Sequence, residues 1–308
     1  MSAFFETYVS TGLKEDVLDM LEVISPDDPP AYSGMRKGRA SAVHHEWLEI
    51  ALPTASAVGA NNYPEGQSFA FLSGASYQPV ETRRHNYCQI FRNTFRVSDT
   101  VNAVSKYGRD SEFGLRKAHA LRAHKVDIEV ALLDNSATGA GSSGATRTMV
   151  GLRTLDGLSA TANSSSTDAS PIDEANLNAL MIQMWDQGTQ PNRLLCSSFV
   201  KRQIAGFLGG GAGRPIVSNN GEKRMTDVVD IYESDFGVLQ LIPSRRLNIK
   251  SEVLVWDNSM VAIAMLRAPF TRDTPNDGDY ESGVVISELT FEYLNANSVG
   301  RLRRVQSA

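Results

Sequence analysis

Leu13, Val17, Met20, Leu21 and Ile24 fall on one helical stripe while Lys14, Glu15, Asp16 and Asp19 occupy the other face, so a short amphipathic helix is predicted near the start of the chain. Ser25-Pro26 ends it, and DDPPAYSGMRKGRA, rich in proline, glycine and charge, predicts an extended arm. From Glu46, EWLEIALP predicts a strand. Residues 60–79 are turn-rich and lightly apolar, and ETRRHNYCQIFRNTFRV then resumes alternation through Tyr87, Gln89, Phe91 and Phe95. Together these predict a two-stranded excursion leaving near Leu52 and returning by Phe95. An isolated ribbon buries too little surface to be stable in water, so both arm and ribbon call for a neighbour.

Ser111 to about Asn135 is free of proline and dense in Ala, Leu, Lys, Arg and Glu, which predicts a long spine helix. Lys125 and Glu129, four apart, are expected on a wet wall. Residues 138–170 are rich in Gly, Ser, Thr and Ala, hold little that could pack, and are expected to contain a subdomain boundary. Beyond them, Ser170-Pro171-Ile172-Asp173 has the look of a helix start. Leu177, Leu180, Met181, Met184 and Trp185 supply its apolar stripe, and Gly188 its end. A strand at Arg193 to Cys196 and a helix from about Ser198 to Phe207 follow. Short strands are predicted at Met225 to Glu233, Val238 to Ile242, Val253 to Trp256 and Met260 to Leu266. Leu289, Phe291 and Tyr293 alternate with Glu288, Thr290 and Glu292, which predicts a last strand with one apolar and one polar face.

Composition narrows the function classes. The 308 residues are 42% hydrophobic, enough for a sizeable core, and a net charge of -5 supplies no field to attract nucleic acid or an anionic membrane. No apolar run approaches the ~20 residues a membrane helix needs, and no membrane partner is expected. Cys88 and Cys196 lack CxxC spacing, so each is expected as a small buried side chain.

Asp235-Phe236-Gly237 spells the magnesium-holding tripeptide of protein kinases, but the catalytic loop and lysine-bearing strand that must converge with it are absent. Alternation on both sides makes it a hairpin turn. The glycines at 209, 210, 211 and 213 follow a helix and end in Arg214-Pro215, not in the GK[ST] of a phosphate cradle. His119 and His124 are five apart, on different helical faces, and are expected as polar surface or arm contacts; His44-His45-Glu46 could ligate a metal only if distant residues converged. Arg301, Arg303 and Arg304 are expected on a solvated face. No catalytic residue, cofactor or metal is expected. The rival readings are a tail or decoration protein, and a phosphotransferase or hydrolase using the glycine loop.

The order of arm, ribbon, spine helix, separate α/β region and returning strand resembles the Hong Kong 97-type major capsid fold of tailed phages, an α+β architecture. Ordered stretches resemble one branch in particular, the SU-ten-like major capsid proteins of podophages. These are Glu15-Asp16-Val17-Leu18-Asp19-Met20 with Ile24-Ser25-Pro26, His45-Glu46-Trp47, Asn86-Tyr87-Cys88-Gln89-Ile90-Phe91, and Val97-Ser98-Asp99-Thr100. Tyr107-Gly108-Arg109 with Glu112, Asp127-Ile128-Glu129 before Ala131-Leu132-Leu133, and Tyr232-Glu233-Ser234-Asp235-Phe236-Gly237 continue the series.

The resemblance implies an N-terminal arm (1–51), an extended loop (52–95), a peripheral domain with the spine helix (96–150), an axial domain (151–280) and a C-terminal strand returning to the peripheral domain (281–308). It implies a shell subunit assembling into hexamers and pentamers in the host cytoplasm, with portal and decoration proteins as partners and packaged double-stranded DNA touched only weakly. No long charged scaffolding segment precedes the arm, so a separate scaffolding protein is expected. Val17 and Leu21 on the arm helix are candidate intersubunit contacts. So are Arg83, Arg84, Arg92 and Arg96 on the returning strand, opposite Glu46, Glu49 and Glu65.

Overall fold

A computed structural model describes residues 28–51, 64–66, 80–106, 108, 111–155, 158–161, 172–209, 216–219, 222–225, 230–248 and 250–303. The predicted arm helix with Val17 and Leu21, the cap at Ser170-Pro171 and most of the glycine loop lie outside them. In chain order the elements are α1 (Pro30–Gly34), β1 (Arg36–Arg39), β2 (His44–Ala51), β3 (Val80–Tyr87), β4 (Gln89–Ser98), α2 (Asp99–Ala103) and α3 (Glu112–Asp134). Then come β5 (Leu158–Thr161), α4 (Glu174–Asp186), β6 (Arg193–Cys196), α5 (Ser198–Ala205), β7 (Ile216–Asn219) and β8 (Glu222–Met225). The rest are β9 (Ile231–Ser234), β10 (Gly237–Pro243), β11 (Val253–Trp256), β12 (Val261–Asp273), β13 (Tyr280–Tyr293) and β14 (Val299–Arg303).

A four-stranded sheet runs β1-β12-β13-β4 and a six-stranded sheet runs β5-β14-β11-β6-β10-β9, while β2-β3 and β7-β8 form separate ribbons. Among the described residues, one compact unit takes Asp28, Arg92–His124 and Phe270–Ile286; the other takes Pro29–Phe91, Lys125–Pro269 and the described part of Ser287–Ala308.

In the first unit the Phe95 and Phe113 rings stand 5.2 Å apart, and the Arg96 guanidinium lies 4.2 Å over the Tyr280 ring. His124 is not polar surface: it is buried, with Nδ1 2.6 Å from Asn93 Oδ1.

Among the described residues, the second unit holds two large apolar cores beside a small cluster of Ala40, Cys88 and Ala264. One gathers Ile128, Leu132 and Leu133 of α3 with Ile263, Leu289, Phe291, Met149 and Leu152. The other packs Leu177, Leu180, Met181 and Met184 of α4 against Leu194, Leu239, Val253, Val255 and Leu302. The stripe of α4 was legible, except that Trp185 at its edge is 52% exposed. Gly188, at φ 81°, takes the left-handed turn that follows this helix, a conformation glycine adopts without Cβ strain.

Packing corrects several expectations. Residues 30–39 of the expected extended arm are held to the body, because β1 pairs in parallel with β12, and Ala31 and Met35 are buried. Their anchor is Glu129, which accepts from Ala31 N at 3.0 Å and Tyr32 N at 2.6 Å. Glu129 is therefore buried, and not on a wet wall. Residues 147–155 do pack: Met149 and Leu152 are fully buried, and Gly151, Leu152 and Arg153 donate to Asn135, Leu132 and Leu133 carbonyls at the end of α3. These carbonyls have no partners within the helix, so the segment acts as its cap.

The alternation from Gln89 to Phe95 belongs to β4, a sheet strand, and not to the ribbon's return. The polar face of β13 is not wet either. Glu288 and Thr290 are buried, with Glu288 held by Arg147 at 2.7 Å and Arg267 at 2.9 Å. β14 had no sequence signal beyond short alternation. It buries Arg301, whose Nη1 donates to Arg153 O at 2.9 Å, so that arginine is not on a solvated face.

Candidate assembly surface

β2 and β3 pair antiparallel from His44↔Tyr87 to Ala51↔Val80. Successive side chains on a strand point to opposite faces, so the ribbon has two distinct sides. One side carries His45, Trp47 and Glu49 on β2 with Arg84 and Asn86 on β3, and this side is rooted in the body. His45 Nε2 lies 3.2 Å from Glu292 Oε2, Trp47 meets the Tyr293 ring edge-on at 5.0 Å, and Asn86 Nδ2 donates to Phe291 O at 2.8 Å. Asn86 Oδ1 accepts from Val150 N at 2.9 Å, so this fully buried amide ties the ribbon to the cap segment of α3 as well.

The other side carries His44, Glu46, Leu48 and Ile50 with Glu81, Arg83 and His85. Leu48 is 59% and Ile50 58% exposed. Apolar residues on both faces of EWLEI were the available sign of a second covered side. The alternation alone did not say which face the body would leave open.

The expected charge pairs divide accordingly. Arg84 Nε donates to Glu49 Oε2 at 2.7 Å within the same chain, and that hydrogen bond raises the Arg84 pKa. Arg83 stands opposite Leu48, and Glu46 opposite His85, both on the open face. Arg92 and Arg96 lie on β4, and Glu65 is exposed in a turn. At the root of the arm, Lys37 donates to Tyr32 O and lies 3.7 Å over the Tyr32 ring. Desolvation lowers its pKa to about 8 against the opposing pull of Glu129.

The motifs with chemical overtones take structural places. Asp235 and Phe236 form the turn between β9 and β10, with Gly237 registered on Ser234 and Ser234 Oγ accepting from Phe236 N at 3.2 Å. Gly209 ends a 3-10 turn after α5. No helix among the described residues is long and apolar enough to cross a membrane.

Comparisons with known proteins place this arrangement. Among solved structures, the capsid asymmetric unit of cyanophage A-1(L) is similar with a TM-score of 0.72 at 11% identity, covering 98% of this chain and 99% of that one. A chain of Mycobacterium phage Adephagia gives 0.64 at 15% identity over 100% of both. The SrpI encapsulin of Synechococcus elongatus PCC 7942 gives 0.60 at 13%, covering 96% of this chain and 93% of that one. The fold is thus the Hong Kong 97-type α+β capsid fold. The major capsid protein of Escherichia phage Phieco32 is 31% identical over 133 residues, 43% of this chain and 36% of that protein, so the match spans only about a third of the relative's length. The family model described as SU10 major capsid protein matches residues 3–306, and the chain belongs to that family.

Proposed function

We propose that the chain is a shell subunit whose copies build an icosahedral phage head around double-stranded DNA. The observation that carries this reading is the family match over residues 3–306. The open ribbon face with Leu48 and Ile50 is consistent with it. The protein's role is structural, its site a surface repeated around a closed shell, so that many weak contacts act together. Arm (1–51), extended loop (52–95), peripheral domain (96–150 with the 281–308 strand) and axial domain (151–280) are the proposed division. The packing of α4 against strands of the six-stranded sheet supports its axial part, while the β2-β3 ribbon joins the end of the arm (44–51) to the loop's return (80–87).

In this reading Val17 and Leu21 of the arm, and Glu46 and Arg83 of the ribbon's open face, meet neighbouring copies in hexamers and pentamers. Scaffolding, portal and decoration proteins act as separate partners, and assembly takes place in the host cytoplasm before the subunit resides in the virion. Exposed ion pairs contribute only about 0 to 1 kcal/mol each, so Glu46 and Arg83 set register more than strength.

Negative-stain micrographs of the chain co-expressed with its scaffolding partner are expected to show closed shells, and Val17→Glu with Leu21→Glu to leave only soluble folded subunits. Particles indistinguishable from wild type would remove the arm from the mechanism. In virions the chain is expected to be the most abundant protein; a minor band would favour a tail or decoration role.

A further inference from the structure

His44 and Glu46 are two residues apart on β2 and so face the same side. The strand register sets Glu46 opposite His85 and His44 opposite Tyr87, which brings His85 to that side too. His44 Nδ1 lies 3.1 Å from Glu46 Oε1, and the His44 and His85 ring centroids are 4.7 Å apart with a 47° tilt. The sequence alone required a distant residue to join His44 and Glu46. The ribbon supplies one from 39 positions away in numbering (85 − 46).

We propose that His44, Glu46 and His85 form a surface site for a divalent transition-metal ion of the zinc, nickel or copper class. Imidazole with one carboxylate suits these ions, whereas calcium and magnesium take all-oxygen ligands. As the side chains lie, no three such groups among the described residues converge on a metal position. Here His44 and Glu46 satisfy each other instead, and their side chains are 40% and 43% exposed. Turning them toward a common point with His85 breaks no core packing, and displaces one solvent-exposed pair of the kind that contributes little.

The bound ion would tie β2 to β3 across the ribbon, adding a cross-strand link to an element that is marginal alone. Glu46 favours the cation, while Arg83, the next residue of β3 on that face, opposes it. Glu81 lies one position further, and the Tyr87 ring flanks His44 at 4.7 Å.

The test is calorimetric titration of tag-free, chelator-treated full-length protein with zinc chloride, paired with cobalt(II) absorption spectra. One zinc per chain in the micromolar range is expected, with visible cobalt ligand-field bands. His44→Ala and His85→Ala are each expected to weaken binding at least about tenfold and abolish the bands. Glu46→Gln, which keeps shape and a hydrogen-bonding head, is expected to weaken it less, and His119→Gln not at all. Absence of zinc binding in wild type, or binding that survives both histidine substitutions in chains with unchanged circular dichroism, overturns the site.

Discussion

Burial decides what the two thiols can do. Desolvation pushes Cys88 up to about 11 and Cys196 up to about 12 from an ordinary 9.0, so neither is a thiolate at neutral pH. The folded chain holds these protons more tightly than the unfolded one. Their contribution to stability is therefore fully present below about pH 9 and is lost as pH rises through about 11 to 12. At pH 8 an aromatic disulfide reagent is expected to label neither cysteine in the native subunit while labelling both quickly in denaturant. Fast native labelling at either site would contradict this. That the cysteines are inert was legible from their spacing. The buried state of His124, Glu129 and Arg301 was not, because periodicity shows which face of an element is apolar and not which partner crosses to a polar residue on it. Each is a long-range contact: Glu129 with Ala31, Arg301 with Arg153.

Between elements, the same kind of contact fixes where the arm leaves the body. α1 is five residues long, too short to hold itself, and depends on Glu129 of α3 to accept two backbone N–H groups at its start. Hydrogen bonds to a charged group contribute about 1.5 to 3 kcal/mol each. Glu129→Ala is therefore expected to destabilise the isolated subunit by roughly 2 to 4 kcal/mol, allowing for water entry, and Glu129→Gln by less since its amide oxygen still accepts. Urea unfolding midpoints measure this, and an unchanged midpoint for Glu129→Ala would show that α1 is held by something else. Elements with their own periodicity and punctuation were legible in the order of residues alone. α4 carries its stripe and Gly188, while β6 and β11 match the runs RLLC and VLVW residue for residue. Elements defined by what lies beside them were not. β4 was merged with the ribbon because both alternate, and β14 and the cap at 151–153 have too few residues to show a period.

For the molecule among its copies, the ribbon's open face is where folding and assembly separate. Leu48 and Ile50 are more than half exposed, whereas Trp47, Asn86 and His45 behind them root the ribbon. Removing the outer pair leaves the root untouched, so Leu48→Ser with Ile50→Ser is expected to shift subunit melting by no more than the few tenths of a kcal/mol typical of surface changes. If each subunit of a shell gives one such face to a neighbour and receives one, the loss is counted once per subunit. Fully burying a leucine or isoleucine is worth about 1.5 to 3 kcal/mol, and roughly half of that remains to be gained here, giving about 1.5 to 3 kcal/mol for the pair. Every 1.4 kcal/mol is tenfold, so the subunit concentration at which shells first appear should rise about 10- to 150-fold. Light scattering across a concentration series reads that threshold directly, and an Arg84→Ala control, which breaks the internal pair with Glu49, is expected to move it far less. A double variant that melts like wild type and assembles at the wild-type threshold would mean that the open face meets no neighbour. The contacts that close the shell would then have to be sought on other surfaces of the subunit.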